Sequence, residues 1–296
     1  NMKVFEFSTS LKIGQPTKIG MFGDVHFDSL DCDKVSLKRD MDYCLQDNRY
    51  ILVDGDWFDA ILLKDRKRAV PSNVEHVDNQ LNVKLEESAH FLYPYKDNIL
   101  FMGRGNHEES VLKYNGIDLL QMLCALLNAG SKHKIVHGNY ANFLRFSFLD
   151  NRKKSLAHYD IFAHHGAGGS APATKGMLDF GALAKGINAD LIWIGHKHNS
   201  LIDYSAPVMF VDQNGNVILK NRQCIETPSY QKGRTIDYNV NFAERFYNHT
   251  ALSGFGELNL TPIRDGKKYI IHSDLHITTK PVAVLGTAVS SKLKVR

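Results

Sequence analysis

The sequence predicts an α/β fold, and three observations carry that prediction. Short apolar runs recur along the chain, and several are closed abruptly by Gly with Asp, Asn or His, the pattern of buried strands that stop at loops. Segments between them place apolar residues at helical spacing, as in Leu37, Met41, Cys44 and Leu45. The chain has 296 residues, 43% hydrophobic and 23% charged, which suffices for one large globular α/β domain.

Taken in order, strands are expected at 4–7 and 19–22, the second running into Gly23-Asp24-Val25-His26-Phe27-Asp28. A helix over 36–48 precedes a strand at 50–53, which ends in Gly55-Asp56-Trp57-Phe58-Asp59. Residues 64–82 read as irregular. Within them Lys64, Arg66, Lys67 and Arg68 form either a solvated loop or a rim that attracts phosphate. A helix around 75–93 leads to a strand at 98–102 and then to Gly103-Arg104-Gly105-Asn106-His107-Glu108. The stretch 117–129 reads as a buried helix closed by Gly130, followed by strands at 134–137 and 142–149. The run Tyr159 to Ala163 ends in His164-His165-Gly166. After a helix near 176–186, Asp190 to Ile194 ends in Gly195-His196-Lys197-His198.

Beyond residue 200 the pattern becomes β-rich. Two hairpins are expected, 208–211 with 217–219 around Gln213-Asn214-Gly215-Asn216, and 257–260 with 268–279 around Arg264-Asp265-Gly266. No repeat or Pro/Gly-rich linker divides the chain. Residues 2–230 are expected to form one core, with 231–296 as a β-rich C-terminal extension packed on it.

Composition bounds the function. The formal net charge of +4 permits a polyanionic substrate without demanding one. The four cysteines, Cys32, Cys44, Cys124 and Cys224, form no CxxC pair, which points to free thiols in a reducing compartment and away from cysteine-ligated zinc. No apolar run approaches the roughly 18 residues of a membrane span, and Met2 to Phe7 lack the apolar core of a signal peptide. A cytoplasmic protein without membrane contact is expected.

The strand ends deliver metal-ligand residue types. Five apolar runs terminate in Asp24 and His26, in Asp56, in Asn106 and His107, in His164 and His165, and in His196 and His198. Ligands in open α/β sheets bind at the carboxyl ends of strands. Carboxylates, imidazoles and one carboxamide gathered on one rim mark a metal site. A lone motif would be weak evidence: Asp274-Leu275-His276 repeats the DxH triplet with no partners after it. The histidines at 133, 137, 158 and 272 lie outside the motifs and read as packing or surface residues.

The ordered set Asp24-Val25-His26, Gly55-Asp56-Trp57-Phe58-Asp59, Gly105-Asn106-His107-Glu108, His164 and Gly195-His196-Lys197-His198 resembles the calcineurin-like metallophosphoesterase superfamily, over residues 19–198 and on to about 230. The resemblance implies a four-layer α/β/β/α sandwich with a two-metal site where the sheets meet. Carried over, Asp24, His26 and His198 would hold one metal, Asn106, His164 and His196 the other, and Asp56 would bridge both. His107 would face the scissile phosphate as a general acid, and Asp59 would hold its far nitrogen. His164 and His165 compete for one ligand place. The family's use of the first histidine favours His164, leaving His165 beside the site or on substrate. Arg104 reads equally as a phosphate contact or a turn residue, and Glu108 as structural. Mixed oxygen and nitrogen donors suit two divalent ions, with Mn²⁺ preferred on the family's account and Fe or Zn²⁺ also suited.

The expected reaction is hydrolysis of a phosphate ester by metal-activated hydroxide. Protein phosphatases of this superfamily carry an Arg directly after the second Asp of the GDxxD motif, where Ala60 stands here, so the bidentate phosphate clamp is lost. The Gly-Asp-Trp-Phe-Asp form is closer to DNA-repair nucleases of the double-strand-break type, and the loops around Thr227 and Tyr247 resemble phage and prophage phosphoesterases. The leading expectation is a phosphodiesterase whose substrate is DNA, RNA or a nucleotide. The alternatives are a phosphomonoesterase for small molecules or phosphoproteins, and an inactive binding scaffold.

Overall fold

Alternate residues of the central strands serve two different cores, and this alternation explains the layered architecture. The computed structural model describes residues 4–60, 79–168, 177–204, 207–211, 215–231 and 253–279. The basic cluster at 64–68 and residues 232–252 and 280–296 lie outside them.

The chain runs β1 (Val4–Ser10), β2 (Thr17–Gly23), α1 (Lys34–Gln46), β3 (Tyr50–Asp54), α2 (Gln80–Leu92), β4 (Ile99–Gly103), α3 (Asn106–Asn115), α4 (Leu119–Asn128), β5 (Val136–His137), β6 (Ala141–Leu149) and β7 (Ser155–His164). It continues with α5 (Met177–Gly186), β8 (Leu191–Ile194), β9 (Leu201–Asp203), β10 (Val208–Val211), β11 (Val217–Lys220), β12 (Gln223–Glu226), β13 (Gly254–Asp265) and β14 (Lys268–Thr279). One six-stranded sheet has the order β1-β6-β7-β8-β12-β9, and the other the order β14-β13-β2-β3-β4-β5. β2, β3, β4 and β5 run parallel, as do β7, β8 and β12, so each sheet aligns several carboxyl ends on one rim.

Successive strand side chains point to opposite faces. In β3, Ile51 and Val53 join the core under α1, α2 and α4, while Leu52 turns to the core between the sheets. In β8, Leu191 and Trp193 face that same inter-sheet core, while Ile192 and Ile194 pack with Phe180 of α5. Three cores therefore separate four layers: helices, sheet, sheet, helix. The α/β/β/α expectation holds.

α1 starts where the Asp33 side chain accepts the Ser36 amide at 3.1 Å, satisfying an otherwise unpaired first-turn donor. It buries Leu37, Met41 and Cys44, while Leu45 stays exposed. α4 starts in the same way, Asp118 accepting from Gln121 at 3.0 Å. The hairpin expected at 208–219 forms as the antiparallel pair β10 and β11. All four cysteines are buried, and none is in a disulfide among the described residues. Among the described residues no helix is long and apolar enough to cross a membrane.

The β-rich C-terminal region packs on the core as one of its strands: β13 pairs antiparallel with β2, Leu258 opposite Ile19, and Leu258, Leu260 and Leu275 lie in the inter-sheet core. The described part of 231–296 thus completes a core sheet. Residues 106–115, to which the sequence reading assigns no element, form α3. This helix buries only Glu108 and Val111, too few for an apolar period to show.

Candidate metal centre

The loops after β2 and β3 are zipped together by backbone bonds: Asp24 N to Gly55 O at 3.2 Å, His26 N to Asp56 O at 2.9 Å, and Phe27 N to Trp57 O at 2.8 Å. The two sheets are joined at the same place. The His196 amide donates to Asp24 Oδ2 at 2.7 Å, and the Gly195 amide to the His165 carbonyl at 3.2 Å. Asp24, His26, Asp56, His196 and His198 all hold positive φ, between 46° and 74°. That conformation is disfavoured for side chains of this kind, and its concentration in one cluster marks a site where the fold accepts strain for function.

Three groups of donors converge. Asp24, His26 and His198 form one, Asp56, His165 and His196 a second, and His26, Asp56 and His107 a third; within each, the donor atoms lie within 4.8 Å of one another. Asp56 belongs to two of them and is 2% exposed. It sits against the start of α3, where the His107 amide donates to its Oδ1 at 2.9 Å, so the helix N-terminus steadies its negative charge. Asn106, at the same helix start, places Oδ1 at 2.8 Å from His165 Nε2, and that nitrogen lies 3.2 Å from Asp56 Oδ2. The approach of β3, β4 and β7 requires glycine. A Cβ on Gly55 would fall 1.9 Å from His165 Nδ1, and one on Gly105 2.0 Å from Asp56 Oδ1.

Of the two neighbouring histidines, the structure gathers the second with the other donors. His165, fully buried, enters the cluster; His164 does not. His164 Nδ1 accepts the Gly166 amide at 2.9 Å, and its ring packs beside Phe162 at 6.1 Å. The signal lay in strand alternation. Ile161 and Ala163 face the inter-sheet core and Phe162 faces α5, so the next inward side chain is at 165.

The role expected of Asp59 also changes. Its Oδ1 is 3.0 Å from His26 Nδ1, whereas His107 Nδ1 donates to the Asp59 backbone carbonyl at 2.5 Å and lies 3.4 Å from Oδ1. Asp59 is in turn fixed by Asp28, whose carboxylate accepts the Asp59 amide at 2.5 Å and the Ala60 amide at 3.0 Å. Arg104 resolves as structural, its guanidinium bound to Asp118 and to Glu109 at 3.2 Å. Glu108 is fully buried and ties two loops, accepting from Phe58 N at 2.8 Å and Gly105 N at 3.0 Å.

Charge in the cluster is balanced by imidazoles. Burial pushes the Asp24 carboxyl up to about 6. Burial opposes ionisation of Asp56 as well, but the charges of His165 and His107 hold it well below the usual carboxylate range. Burial would lower His26, yet its bond to Asp59 and the neighbouring carboxylates raise it to about 9. His165 is raised to about 10, Asp56 again outweighing burial. Burial and the charge of His165 press His196 down to about 4, and burial with the charge of His26 presses His198 well below its usual value.

These residues fit divalent cations. The donors are carboxylate, carboxamide and imidazole without thiolate, a set suited to ions of intermediate hardness. Among the described residues Asp24 Oδ1 is buried and has no hydrogen-bond partner, which leaves this oxygen open to a cation.

The chain matches the calcineurin-like phosphoesterase family over residues 17–200. It belongs to that family. No curated protein matches it. Among solved structures, Vacuolar Protein Sorting 29 from Cryptosporidium parvum is 10% identical, with a TM-score of 0.36 over 89% of this chain and 100% of its own. GAP50 of Plasmodium, titled the anchor in the inner membrane complex, is 12% identical, with a TM-score of 0.40 over 91% of each chain. As a calcineurin-like phosphoesterase the chain is a metal-dependent phosphoester hydrolase by family, and the His/Asp cluster is its candidate metal site.

Proposed function

We propose that this calcineurin-like phosphoesterase hydrolyses phosphodiester bonds, with nucleic acid or nucleotides as substrates. The observation that favours a diester is the commitment of the described cations flanking the site. Lys84 pairs with Asp28 at 2.6 Å, Arg104 with Asp118 and Glu109, and Lys197 with Asp179. Ala60, 3% exposed, supplies no guanidinium. A monoester dianion gains from such a clamp on its outer oxygens, whereas a diester carries a single negative charge and needs it less. The net charge of +4 and the basic cluster at 64–68 suit a polyanion.

Asp24, His26 and His198 would hold one cation, and Asn106, His165 and His196 the other, with Asp56 shared. Such a pair supplies Lewis acidity toward phosphoryl oxygens and acidifies water near neutral pH. Mn²⁺ is the favoured ion on donor type and family habit. The chain's own contribution is orientation and proton transfer. Asp56, steadied by α3, offsets the repulsion between the two charges. Asp59 aims the His26 ring. The Asp59 carbonyl accepts a hydrogen bond from Nδ1–H of His107, so His107 Nε2, 3.8 Å from Asp56 Oδ2, is the position from which the doubly protonated ring would give a proton to the leaving oxygen.

The deciding experiment compares bis-p-nitrophenyl phosphate, p-nitrophenyl phosphate, and single- and double-stranded DNA and RNA with added Mn²⁺. Diester turnover well above monoester turnover is expected. Good monoester turnover with no diester or nucleic-acid cleavage would move the protein to the phosphomonoesterases.

A further inference from the structure

Asp54 is the last residue of β3, one residue before the Gly55-Asp56 turn, and no ligand role falls to it. It alternates with Val53, so its side chain projects from the same face as Leu52, toward the opposite sheet. It is 1% exposed, and among the described residues neither of its carboxylate oxygens has a hydrogen-bond partner. Buried carboxylates without partners are rare, because the lost hydration is uncompensated. A Cβ on Gly103 would meet Asp54 Oδ1 at 2.1 Å, so β4 is shaped to admit this side chain.

A complementary orphan lies nearby. Among the described residues His165 Nδ1 is buried and has no partner, and it packs against Gly55, the residue that follows Asp54, where a Cβ would fall 1.9 Å from it. The other ring nitrogen, Nε2, faces Asn106 Oδ1 and Asp56 Oδ2. An imidazole that gives Nε2 to a cation keeps its proton on Nδ1, and that proton requires an acceptor. No direct bond joins Asp54 to His165, but two acceptor oxygens and one donor nitrogen supply the partners that a single buried water needs.

We propose that Asp54 is a positioning residue for His165, receiving its Nδ1 proton through a bridging water and so fixing the tautomer and aim of that ligand. This rests on the reading of His165 as a metal ligand. Asp54 does not touch substrate. Its carboxylate raises the basicity of the imidazole and stops the ring from turning about its Cβ–Cγ bond. In the metal-free protein the same carboxylate is a burden, buried without a direct partner.

Those two consequences pull in opposite directions and make the test specific. Asp54→Leu and Asp54→Asn are compared with the wild type by Mn²⁺ titration calorimetry and by thermal melting of the metal-free proteins. The expected result for Asp54→Leu is Mn²⁺ affinity lower by roughly 10–100-fold at one of two sites, together with an unchanged or higher metal-free Tm. Asp54→Asn, which keeps an acceptor oxygen, should fall between. Wild-type affinity at both sites in Asp54→Leu would overturn the proposal while leaving the metal centre intact. A lower metal-free Tm with both sites weakened equally would also overturn it, since Asp54 would then serve only the fold. A wild-type protein that binds no Mn²⁺ would remove the metal centre and this proposal together.

Discussion

The Asp59 carboxylate lies 3.0 Å from Nδ1 of His26, so the second Asp of the GDxxD motif holds a histidine of the candidate metal cluster, while the general-acid candidate His107 rests on a main-chain carbonyl. This division separates what a side-chain substitution can change. Asp59→Ala is expected to weaken one metal site by roughly 10–100-fold, because the His26 ring loses its anchor. The Asp59 carbonyl remains, so His107 keeps its tautomer. With Mn²⁺ raised to saturation, the variant should recover most of its turnover and an unchanged pH profile. A profile displaced by a full unit at saturating metal would place the carboxylate on His107 after all.

The paired histidines give a sharper contrast. His165→Ala removes a fully buried nitrogen 2.8 Å from Asn106 Oδ1, and loss of one bound cation per molecule is expected. His164→Ala removes a ring that accepts the Gly166 amide and, among the described residues, joins no donor group, so metal content should remain at the wild-type level. Metal analysis of the two purified variants checks this directly; the reverse pattern would restore His164 as the ligand.

Much of this arrangement is legible in the sequence because strand ends announce themselves. Apolar runs stopping at Gly23, Gly55, Gly103 and Gly195 place Asp24, Asp56, Asn106 and His196 on one rim without any structure. The layers are legible too, since period-two alternation is local. What escaped reading depends on contacts between distant segments. Asp59 is equally close in sequence to any loop residue, and only the zipped loops after β2 and β3 bring it to His26. β13 reads as a strand but carries no mark of its partner β2. α3 has only one buried apolar side chain, so no stripe betrays it, although Glu108 and Glu109 in its first turn and Gly116 at its end are helix signals. The His164 and His165 choice was open to local reasoning: continuing the alternation of Ile161 and Ala163 by one step reaches 165.

The charges of the metal-free cluster predict a pH dependence of opposite sign for folding and for metal binding. His26 at about 9 and His165 at about 10 both stand above the ordinary 6.5. A histidine raised by folding stabilises the native state fully below its unfolded value and loses that contribution as pH rises through its folded value. The Tm of the metal-free protein should therefore fall between about pH 6.5 and pH 10. Cations need neutral imidazoles, so Mn²⁺ affinity should rise across the same window. His196, at about 4, is already neutral and contributes little. Calorimetry near neutral pH in buffers of different ionisation enthalpy should register release of about two protons per molecule. No proton release, with a flat metal-free Tm, would contradict the charge balance drawn from His26 and His165.

His107 stands in two geometric relations at once, and one substitution separates them. One of its ring nitrogens falls within 4.8 Å of the ligand atoms of His26 and Asp56, as a ligand would, yet its Nδ1 is bound to the Asp59 carbonyl and its Nε2 stays 3.8 Å from Asp56 Oδ2. A general acid matters in proportion to the basicity of the leaving group. His107→Ala should lower turnover of a dinucleotide, whose leaving alkoxide needs a proton, by roughly 10²–10⁴-fold. Turnover of bis-p-nitrophenyl phosphate should fall much less, because nitrophenolate departs without protonation. Metal content should stay at the wild-type level in both assays. Equal losses on the two substrates, accompanied by loss of a cation, would make His107 a ligand and leave the leaving-group proton to another donor.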